Sequence, residues 1–376
     1  MDISDLLATM AVEHASDLYL SHGAPPAIVV AGVQRFMGDK ALTPIDTHAI
    51  AYSVMNDQQQ KDFESTLEMN LGIARAGVGR FRVNIYRQRG EIAIAIRYIS
   101  VEIPSIDSLR LPATLRDLVM LQRGLILVVG ASGSGKSTTL ASMLDYRNRS
   151  HAGHILTIED PVEYLHEHHQ SIIDQREVGF DTLNYANALR NATREAPNVI
   201  MVGEIRDRET MQQVIAYAET GHLCLSTLHA NNANQTLDRI LSFFPDTAQH
   251  QLLIDLSLHL KAVVSQRLLH AVGGTRVPAV ELLLVTAYIS DLIEKGEIAT
   301  IREAMKLTNE VGMQTFDQAL YKLYAAGTIG YAEALEHADS RTDLALHVRL
   351  QGPVPHESAR GVVEGADVPL SLQLGK

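Results

Sequence analysis

The sequence predicts an α/β protein with a small mixed N-terminal domain, a larger core built on a parallel sheet, and a helical C-terminal region. Three observations support this fold class. Alternating apolar runs, "RFRVNIY" and "IAIAIRYI", lie within residues 1–100, after the helix-period stretch "DISDLLATMAVEHASD". From residue 118, continuous apolar runs alternate with helix-length stretches, as in buried parallel sheets. After residue 286 the remaining periodic stretches are amphipathic and helical.

Taken in chain order, these patterns divide the sequence into five segments. We place an α+β domain at 1–100 and a linker at 101–115, where "SVEIPSIDSLRLPATL" contains two prolines. The core follows at 116–285, with strands in "LILVV", "HILTI", "NVIMVG" and "HLCLS" and a further strand in "RVPAVELLLV". Residues 286–340 are predicted to be helical. The segment 341–376 has no aromatic residue and no sustained period, which predicts a disordered tail.

Composition and charge restrict the classes of function. The chain has 376 residues, 46% of them hydrophobic, which suits two soluble domains of moderate size. Its formal net charge is -12 and no dense Lys/Arg block occurs, which argues against a nucleic-acid partner. The acidic N-terminus is unlike a signal peptide, and no apolar run approaches the ~20 residues of a membrane span, so we expect a cytoplasmic protein.

The chain contains one cysteine, Cys224. A single cysteine excludes both an internal disulfide and a four-thiolate zinc site. Because Cys224 lies in the apolar run "HLCLSTLH", we expect a buried, inert thiol.

The stretch "GASGSGKS", residues 130–137, follows an apolar strand and precedes a helix-like segment. It matches the phosphate-binding pattern G-x-x-x-x-G-K-[ST], in which glycines let backbone N–H groups surround phosphate oxygens. The helix start and the Lys136 ammonium add positive charge, and Ser137 is the expected magnesium ligand. The candidate nucleotide-binding residues are Gly130, Ser132, Gly133, Ser134, Gly135, Lys136, Ser137 and Thr138.

Two acidic segments follow predicted strands. "LTIEDPVEY" places Glu159, Asp160 and Glu163 on a loop at the carboxyl end of a strand, where open α/β sheets bind ligands. "NVIMVGEIRD" ends a strand at Glu204 and has the shape of a Walker B element, with Gly203 where many such elements have Asp. Carboxylates there can orient an attacking water or hold Mg²⁺ through water, so we consider Glu159, Asp160 and Glu204 for the metal. The sequence leaves open whether Glu163 or Glu204 is the general base.

Two further sets are candidates for catalysis. His222 and His229 bracket the strand in "GHLCLSTLHANN", as expected of a sensor that contacts the γ-phosphate or a catalytic carboxylate. Basic residues alternate along the N-terminal strands, Arg82 and Arg97 among them. These arginines either solvate a surface or reach the nucleotide of a neighbouring subunit.

Together, in this order and spacing, these segments resemble the PilT/PilU family of type IV pilus retraction ATPases over residues 1–335. Further matching segments are "ASDLYLSHGAPP", "GRFRVN", "HILTIEDPVEY", "AETGHLCLSTLHANNA", "VSQRLL" and "GMQTFDQAL". The resemblance implies a PAS-like N-terminal domain and a RecA-like ATPase domain that uses ATP and Mg²⁺. It also implies a homohexameric ring that binds the pilus platform protein at the cytoplasmic face of the inner membrane, and so meets the membrane only peripherally.

The resemblance also suggests roles for individual residues. Lys136 and Ser137 fall on the family's phosphate loop. The remaining matches are Glu163 on the catalytic base, Glu204 on the Walker B glutamate, His222 and His229 on the His-box pair, and Arg82 and Arg97 on arginines that reach the active site in such rings.

One departure bears on function within the family. The primary retraction ATPases carry an Ala-Ile-Arg motif in their C-terminal helices, whereas this chain reads "AYISDLIEKGE", with Ser290 at the arginine. With the Ala-Ser of "GASGSGKST" and the C-terminal extension, this favours an accessory ATPase that assists a PilT-type partner. A primary retraction ATPase and a nucleotide-gated adaptor ring remain as alternatives.

Overall fold

The structure is a computed structural model of the chain, and it describes residues 2–30, 32–75, 77–100, 102–307 and 312–351. By contacts between residues the chain forms two compact units. The first comprises residues 1–108, 115–125 and 137–227, and the second comprises 109–114, 126–136 and 228–376. The predicted domain boundaries at residues 100, 115, 285 and 340 stay predictions.

The first unit begins with a mixed α and β region. Its elements are α1 (Ile3–Val12), β1 (Asp17–Ser21), β2 (Ala27–Val30), β3 (Val33–Phe36), α2 (Pro44–Val54), α3 (Asp57–Thr66), β4 (Glu68–Arg75), β5 (Gly79–Gln88) and β6 (Glu91–Ile99). The strands form an antiparallel sheet in the order β3-β2-β1-β6-β5-β4. Phe81, Val83 and Ile85 alternate along β5 and pack into the core with Leu7 and Phe63. The α+β pattern predicted here is confirmed.

Local sequence signals set where the helices of this region begin. Thr43 accepts a hydrogen bond from the backbone N–H of Asp46, and the Asp46 carboxylate accepts one from the N–H of Thr43. Asn56 and Gln59 make the same reciprocal arrangement at the start of α3. Each capping box satisfies N–H groups that the first helical turn leaves without intrahelical partners.

Residues 114–228 contain the strands predicted from continuous apolar runs. The elements are α4 (Thr114–Val119), β7 (Gly124–Val129), α5 (Lys136–Ser150), β8 (Gly153–Glu159), β9 (Ser171–Glu177), α6 (Tyr185–Glu195), β10 (Val199–Val202), α7 (Arg208–Glu219) and β11 (Leu223–Leu228). In the first unit β11, β10, β8 and β9 are neighbours in that order and run parallel. Their carboxyl ends therefore meet at one edge, where Asp160 and Glu204 follow β8 and β10. Cys224 is buried in β11, and this burial raises the pKa of its thiol.

The second unit carries the remaining strands and most of the C-terminal helices. They are α8 (Ala233–Leu241), α9 (Asp246–His259), β12 (Leu260–His270), β13 (Arg276–Leu284), α10 (Ala287–Glu294), α11 (Ile298–Leu307), α12 (Phe316–Ala325), α13 (Tyr331–Glu336) and α14 (Arg341–Gln351). β13 lies beside β12, antiparallel to it, and β12 lies beside β7. Across the ranges that the structure describes, no helix combines the length and apolarity needed to cross a membrane.

Helix α14 corrects the predicted disordered tail. Residues 341–351 are helical, and Leu344 and Val348, one helical turn apart, are buried against Phe316 and Leu320 of α12. Two core contacts in a short segment are too few to produce a visible apolar period, so the sequence pattern missed this helix. The rest of the predicted tail, residues 352–376, lies outside the described residues.

Candidate functional site

The phosphate-binding pattern forms the loop between β7 and α5. Gly130, Gly133 and Gly135 have φ values of +154°, +76° and +92°, a region that favours glycine. A Cβ atom on Gly130 would lie 2.4 Å from the Ser134 Oγ and 2.5 Å from the carbonyl oxygen of Gln266. No side chain fits there without moving the backbone of β12, so the loop shape depends on glycine at 130.

Two polar groups of this loop are suited to an anion. The Ser134 hydroxyl is buried and has no hydrogen-bond partner in the part of the chain described here. Lys136 donates from Nζ to the carbonyl oxygens of Gly130, at 3.0 Å, and Ala131, at 2.9 Å. A buried hydroxyl without a partner is unfavourable, and a phosphate oxygen would satisfy it. The loop therefore fits the triphosphate that the sequence predicts.

Two clefts of the second unit border the phosphate loop. One, of about 350 Å³, is lined by residues 130–134, including the exposed Ser132, and by Gln266 and Arg267 of β12. The other, of about 420 Å³, is lined by Gly130, Ala131 and His229 among others. The structure thus brings His229, one of the predicted sensors, to the phosphate loop.

The first turn of α5 contacts the acidic loop. The hydroxyls of Thr138 and Tyr164 are 2.9 Å apart and share a hydrogen bond. Tyr164 directly follows Glu163, and the N–H of Leu165 donates to the carbonyl of Ser100 at 3.0 Å. The Thr138 hydroxyl thus holds the Glu163 loop against α5, and nucleotide binding by Thr138 stays a prediction.

Glu159 ends β8 as a buried carboxyl group. It accepts hydrogen bonds from the Thr157 hydroxyl, at 2.6 Å, and the Gln175 amide, at 3.1 Å, and the backbone N–H of Glu163 also donates to it. Burial raises its pKa, because a low-dielectric environment disfavours a charged carboxylate. These hydrogen bonds tie the end of β8 to the Glu163 loop, and the predicted role of Glu159 as a metal ligand stays a prediction.

Asp160 and Glu204 meet at one arginine that the sequence analysis did not single out. Arg206 donates from Nε to Glu204 at 2.7 Å and from Nη1 to Asp160 at 3.4 Å. The hydrogen bond to Glu204 raises the pKa of Arg206. Two neighbouring strand ends thus place two carboxylates around one guanidinium. The signal was present in "GEIRD", since a cation two residues after a strand-end carboxylate can turn back to pair with it.

Close packing explains the glycine before Glu204. A Cβ atom on Gly203 would lie 3.0 Å from the Tyr185 hydroxyl and 3.3 Å from the carbonyl oxygen of Ile158. Burial, and then the charge of Asp160, raise the pKa of Tyr185, so this phenol stays neutral. A larger residue at 203 would displace a tyrosine that borders the carboxylate pair.

His222 lies apart from the carboxylates within one chain. It precedes β11, whereas Glu204 follows the parallel β10, so the two occupy opposite edges of the sheet. Its Nδ1 lies 3.1 Å from the carbonyl oxygen of Tyr217 and 3.2 Å from the hydroxyl of Thr220. These contacts place His222 at the end of α7. His222 and His229 thus bracket β11 as the sequence indicates, and a role for His222 in the reaction stays a prediction.

Arg82 and Arg97 are directly opposite each other on β5 and β6. Arg97 donates from Nε to Asp17 at 2.9 Å, yet 67% of its side chain remains exposed. Both arginines lie on the face of the sheet opposite the buried Phe81 and Val83. A role toward a neighbouring subunit's nucleotide therefore stays a prediction.

Within the described residues, no group of three or more His, Cys, Asp or Glu side chains is placed to hold a metal ion. The hard oxygen donors predicted from the sequence to suit Mg²⁺ are the Ser137 hydroxyl and the carboxylates of Glu159, Asp160 and Glu204.

Glu281 of β13 is a buried carboxyl group that sequence analysis missed. It accepts hydrogen bonds from the N–H of Ala233, at 2.7 Å, and the Ser265 hydroxyl, at 3.1 Å. Burial raises its pKa to about 7, Asp339 shifts it in the same direction, and Arg267 opposes the shift. Glu281 thus caps the start of α8, which begins at Ala233, four residues after His229.

Glu281→Gln is predicted to remove a pH dependence of stability. Because the folded chain holds this proton more tightly than a carboxyl of ordinary pKa 4.5, the unfolding free energy should fall as pH rises from 4.5 to about 7. Glutamine keeps the oxygen that accepts from Ala233 but cannot ionise. At pH 8 the variant should be more stable by about 1–3 kcal/mol. Denaturant unfolding of both proteins at pH 5 and pH 8 measures this, and an identical pH dependence in both would refute it.

Comparison with known proteins places this geometry in a family. The family model described as "Type II/IV secretion system protein" matches residues 57–325. The chain is 46% identical over 375 residues to the type IV pilus ATPase PilU of Pseudomonas aeruginosa, covering 100% of this chain and 97% of that protein. It is 43% identical over 338 residues to the type IV pilus retraction ATPase PilT of the same organism, covering 90% and 98%.

A solved structure supports the same placement. The crystal structure of the pilus retraction motor PilT with bound ADP matches with a TM-score of 0.86 and 44% identity, over 92% of this chain and 99% of that one. This match confirms the predicted fold class, with a RecA-like core after an α+β N-terminal region. The phosphate loop shaped by Gly130, the strand-end carboxylates and the similarity over the whole chain all indicate the same family. The chain belongs to the type II/IV secretion system proteins, among the PilT/PilU type IV pilus ATPases.

Proposed function

We propose that this chain is the subunit of a homohexameric ring that hydrolyses ATP to assist type IV pilus retraction, beside a PilT-type partner ATPase. The observation that carries the proposal is the phosphate loop, with its glycine-dependent backbone and the buried Ser134 hydroxyl. Its identity of 46% to a PilU over the full chain supports the pilus as the machinery. We place its action at the cytoplasmic face of the inner membrane, where a pilus platform protein would hold the ring.

Each polar residue has a proposed part in the reaction. The loop N–H groups, Ser134 and Lys136 bind the phosphates of ATP. Ser137 and, through water, Glu204 would hold Mg²⁺, which when bound neutralises charge that develops on the phosphates. Glu163 or Glu204 orders the attacking water and takes its proton. Arg206 restricts Glu204 to one orientation, because it donates to that carboxylate and to Asp160.

The proposed ring gives the N-terminal arginines a function. In a closed ring, Arg82 or Arg97 of one subunit reaches the nucleotide of the next, and the γ-phosphate strengthens that contact. Hydrolysis removes the γ-phosphate, so the contact between subunits weakens and the ring changes shape. The exposed guanidinium of Arg97 is compatible with this role.

One observation favours an accessory or adaptor role over a primary retraction motor. Ser290, at the position of the family's arginine, donates its hydroxyl hydrogen bond to the carbonyl of Ser257 in α9 at 2.7 Å. The Ser290 hydroxyl is thus used within its own fold, and serine cannot supply the positive charge of the family's arginine. The adaptor alternative predicts that the ring binds nucleotide without needing to hydrolyse it.

The test is ATP hydrolysis by the purified full chain at concentrations that allow rings to form, with Mg²⁺ and with EDTA. Mg²⁺-dependent hydrolysis, alone or with the partner ATPase present, supports the motor. Nucleotide binding without hydrolysis under either condition supports the adaptor. A salt-sensitive shift of DNA in a gel would instead favour a motor that acts on nucleic acid.

A further inference from the structure

The loop that connects His229 to α8 is held at three consecutive residues. Each is bound by a side chain from a distant part of the second unit. The contacts are Arg267 Nη2 to the Asn231 carbonyl at 3.3 Å, Asn232 Nδ2 to the Asp339 carboxylate at 3.4 Å, and Ala233 N to the Glu281 carboxylate at 2.7 Å. Two of these contacts hold backbone atoms and the third holds the Asn232 side chain, so the chain just after His229 is fixed in place.

Arg267 joins this loop to the C-terminal helices. Its guanidinium pairs with the Asp339 carboxylate and donates to the carbonyl of His337. It also lies over the ring of Phe316, the first residue of α12, with 3.8 Å between the guanidinium carbon and the ring centroid. An arginine that stacks on a ring and also donates hydrogen bonds to several fixed acceptors has a single favourable orientation.

Asp339 is itself fixed by α12. Its N–H donates to the Asp317 carboxylate at 2.8 Å, and Arg302 pairs with the same carboxylate at 2.7 Å. The side chain of Asp339 is only 9% exposed, and its charge is compensated by Arg267 and, at 3.9 Å, by Arg302. The segment between α13 and α14 is therefore rigidly attached to the residues that follow His229.

The same residues border the phosphate loop. His229 lines one cleft with Gly130 and Ala131, and Arg267 lines the other cleft with residues 130–134. A shift of the Asn231 backbone would therefore move His229 relative to Gly130.

We propose that Arg267 and Asp339 are positioning residues for the nucleotide reaction. They fix the loop of His229 beside the phosphate loop, and they make the segment between α13 and α14 a part of the catalytic machinery. The proposal rests on the proposed ATPase function. It assigns to the C-terminal region a second task besides any contact with partners, namely to set the geometry of the reaction within its own chain.

Asp339→Asn is the sharper test, because Asp339 does not line the cleft and asparagine preserves its size. The kcat for ATP should fall about tenfold or more, since a charge-assisted pair is lost, while ADP affinity changes by less than about threefold. Arg267→Gln should lower kcat at least as much. Arg267→Lys should have a kcat between those of Arg267→Gln and the wild type. An ammonium keeps the charge but cannot make the paired hydrogen bonds or the ring contact of a guanidinium.

The double variant Arg267→Gln with Asp339→Asn separates positioning from general damage. If both residues act through one contact, its kcat should equal that of the worse single variant. A matched control is Arg176→Gln, which breaks an ion pair with Glu195 in the first unit. Arg176 is about as exposed as Arg267, and its variant should leave kcat within about twofold. A kcat near wild type in Asp339→Asn, or fully additive losses in the double variant, would overturn the proposal.

Hydrogen exchange provides a readout that does not need turnover. Adding ADP to the wild type should slow amide exchange at residues 229–233 and at 337–340 together, and in Asp339→Asn the second segment should no longer respond. If the wild type binds ADP but does not hydrolyse ATP, the proposed motor function is wrong. The coupling between the two segments is still tested, because hydrogen exchange measures it without turnover. Protection at 229–233 without any change at 337–340 in the wild type would overturn it.

Discussion

Lys136→Ala is expected to lower the rate of ATP hydrolysis by ~100-fold or more. A fixed cation at the phosphates stabilises both the bound nucleotide and the transition state, and this variant lacks it. The Lys136 ammonium donates to two carbonyl oxygens of its own loop, so it already lies within the phosphate-binding turn. Affinity for ADP should fall as well, by about tenfold or more. Steady-state hydrolysis and titration with a fluorescent ADP analogue measure the two effects.

The control for this variant is Lys295→Ala. Lys295 pairs with Asp291 one turn away on α10, is exposed, and lies outside both clefts beside the phosphate loop. Turnover and affinity should stay at the wild-type level. Hydrolysis by Lys136→Ala at even a third of the wild-type rate would mean that the loop between β7 and α5 does not support the reaction.

Glu204→Gln is expected to stop hydrolysis and leave binding intact. A carboxylate at this strand end acts on water or on the metal rather than on the phosphates directly, so kcat should fall ~100-fold while ADP affinity stays within about threefold. Glutamine retains an oxygen that can accept from Arg206, so the local fold is preserved. Single-turnover hydrolysis and ADP titration together show which step is lost.

Two parallel variants make this result specific. Glu195→Gln applies the same change to another carboxylate paired with an arginine, Arg176, and should not alter turnover. Glu163→Gln asks which carboxylate takes the proton from water. If Glu163→Gln also stops hydrolysis, both carboxylates are needed. If Glu204→Gln hydrolyses ATP at the wild-type rate, Glu204 is not a catalytic residue.

The parts of the site that the sequence predicted are those encoded locally. The residues that shape the phosphate loop lie within eight consecutive positions, and Glu204 follows its own strand directly. In both places a short pattern contains the whole feature, because a strand, a turn and the start of a helix occupy neighbouring residues. The fold class was predictable for a similar reason, since apolar periodicity reports burial element by element.

The parts that were missed depend on contacts between residues distant in sequence. Arg206 reaches back to Asp160, Arg267 reaches forward to Asp339, and Glu281 caps α8. No spacing rule connects such pairs, and each residue alone looks like an ordinary surface charge. Thr138 is a similar case, because its hydroxyl is hydrogen-bonded to Tyr164, 26 residues away, a contact that the motif does not encode.

Cys224 has a practical consequence for watching a ring of this kind move. It is the chain's one cysteine, it is 1% exposed within β11, and burial raises the pKa of its thiol, so maleimide reagents should not reach it in the native protein. A cysteine introduced at an exposed position, such as Leu346 on α14, would then be the single labelled site of each subunit. Pairs of fluorophores could report distances between subunits through each nucleotide state without first removing a native thiol.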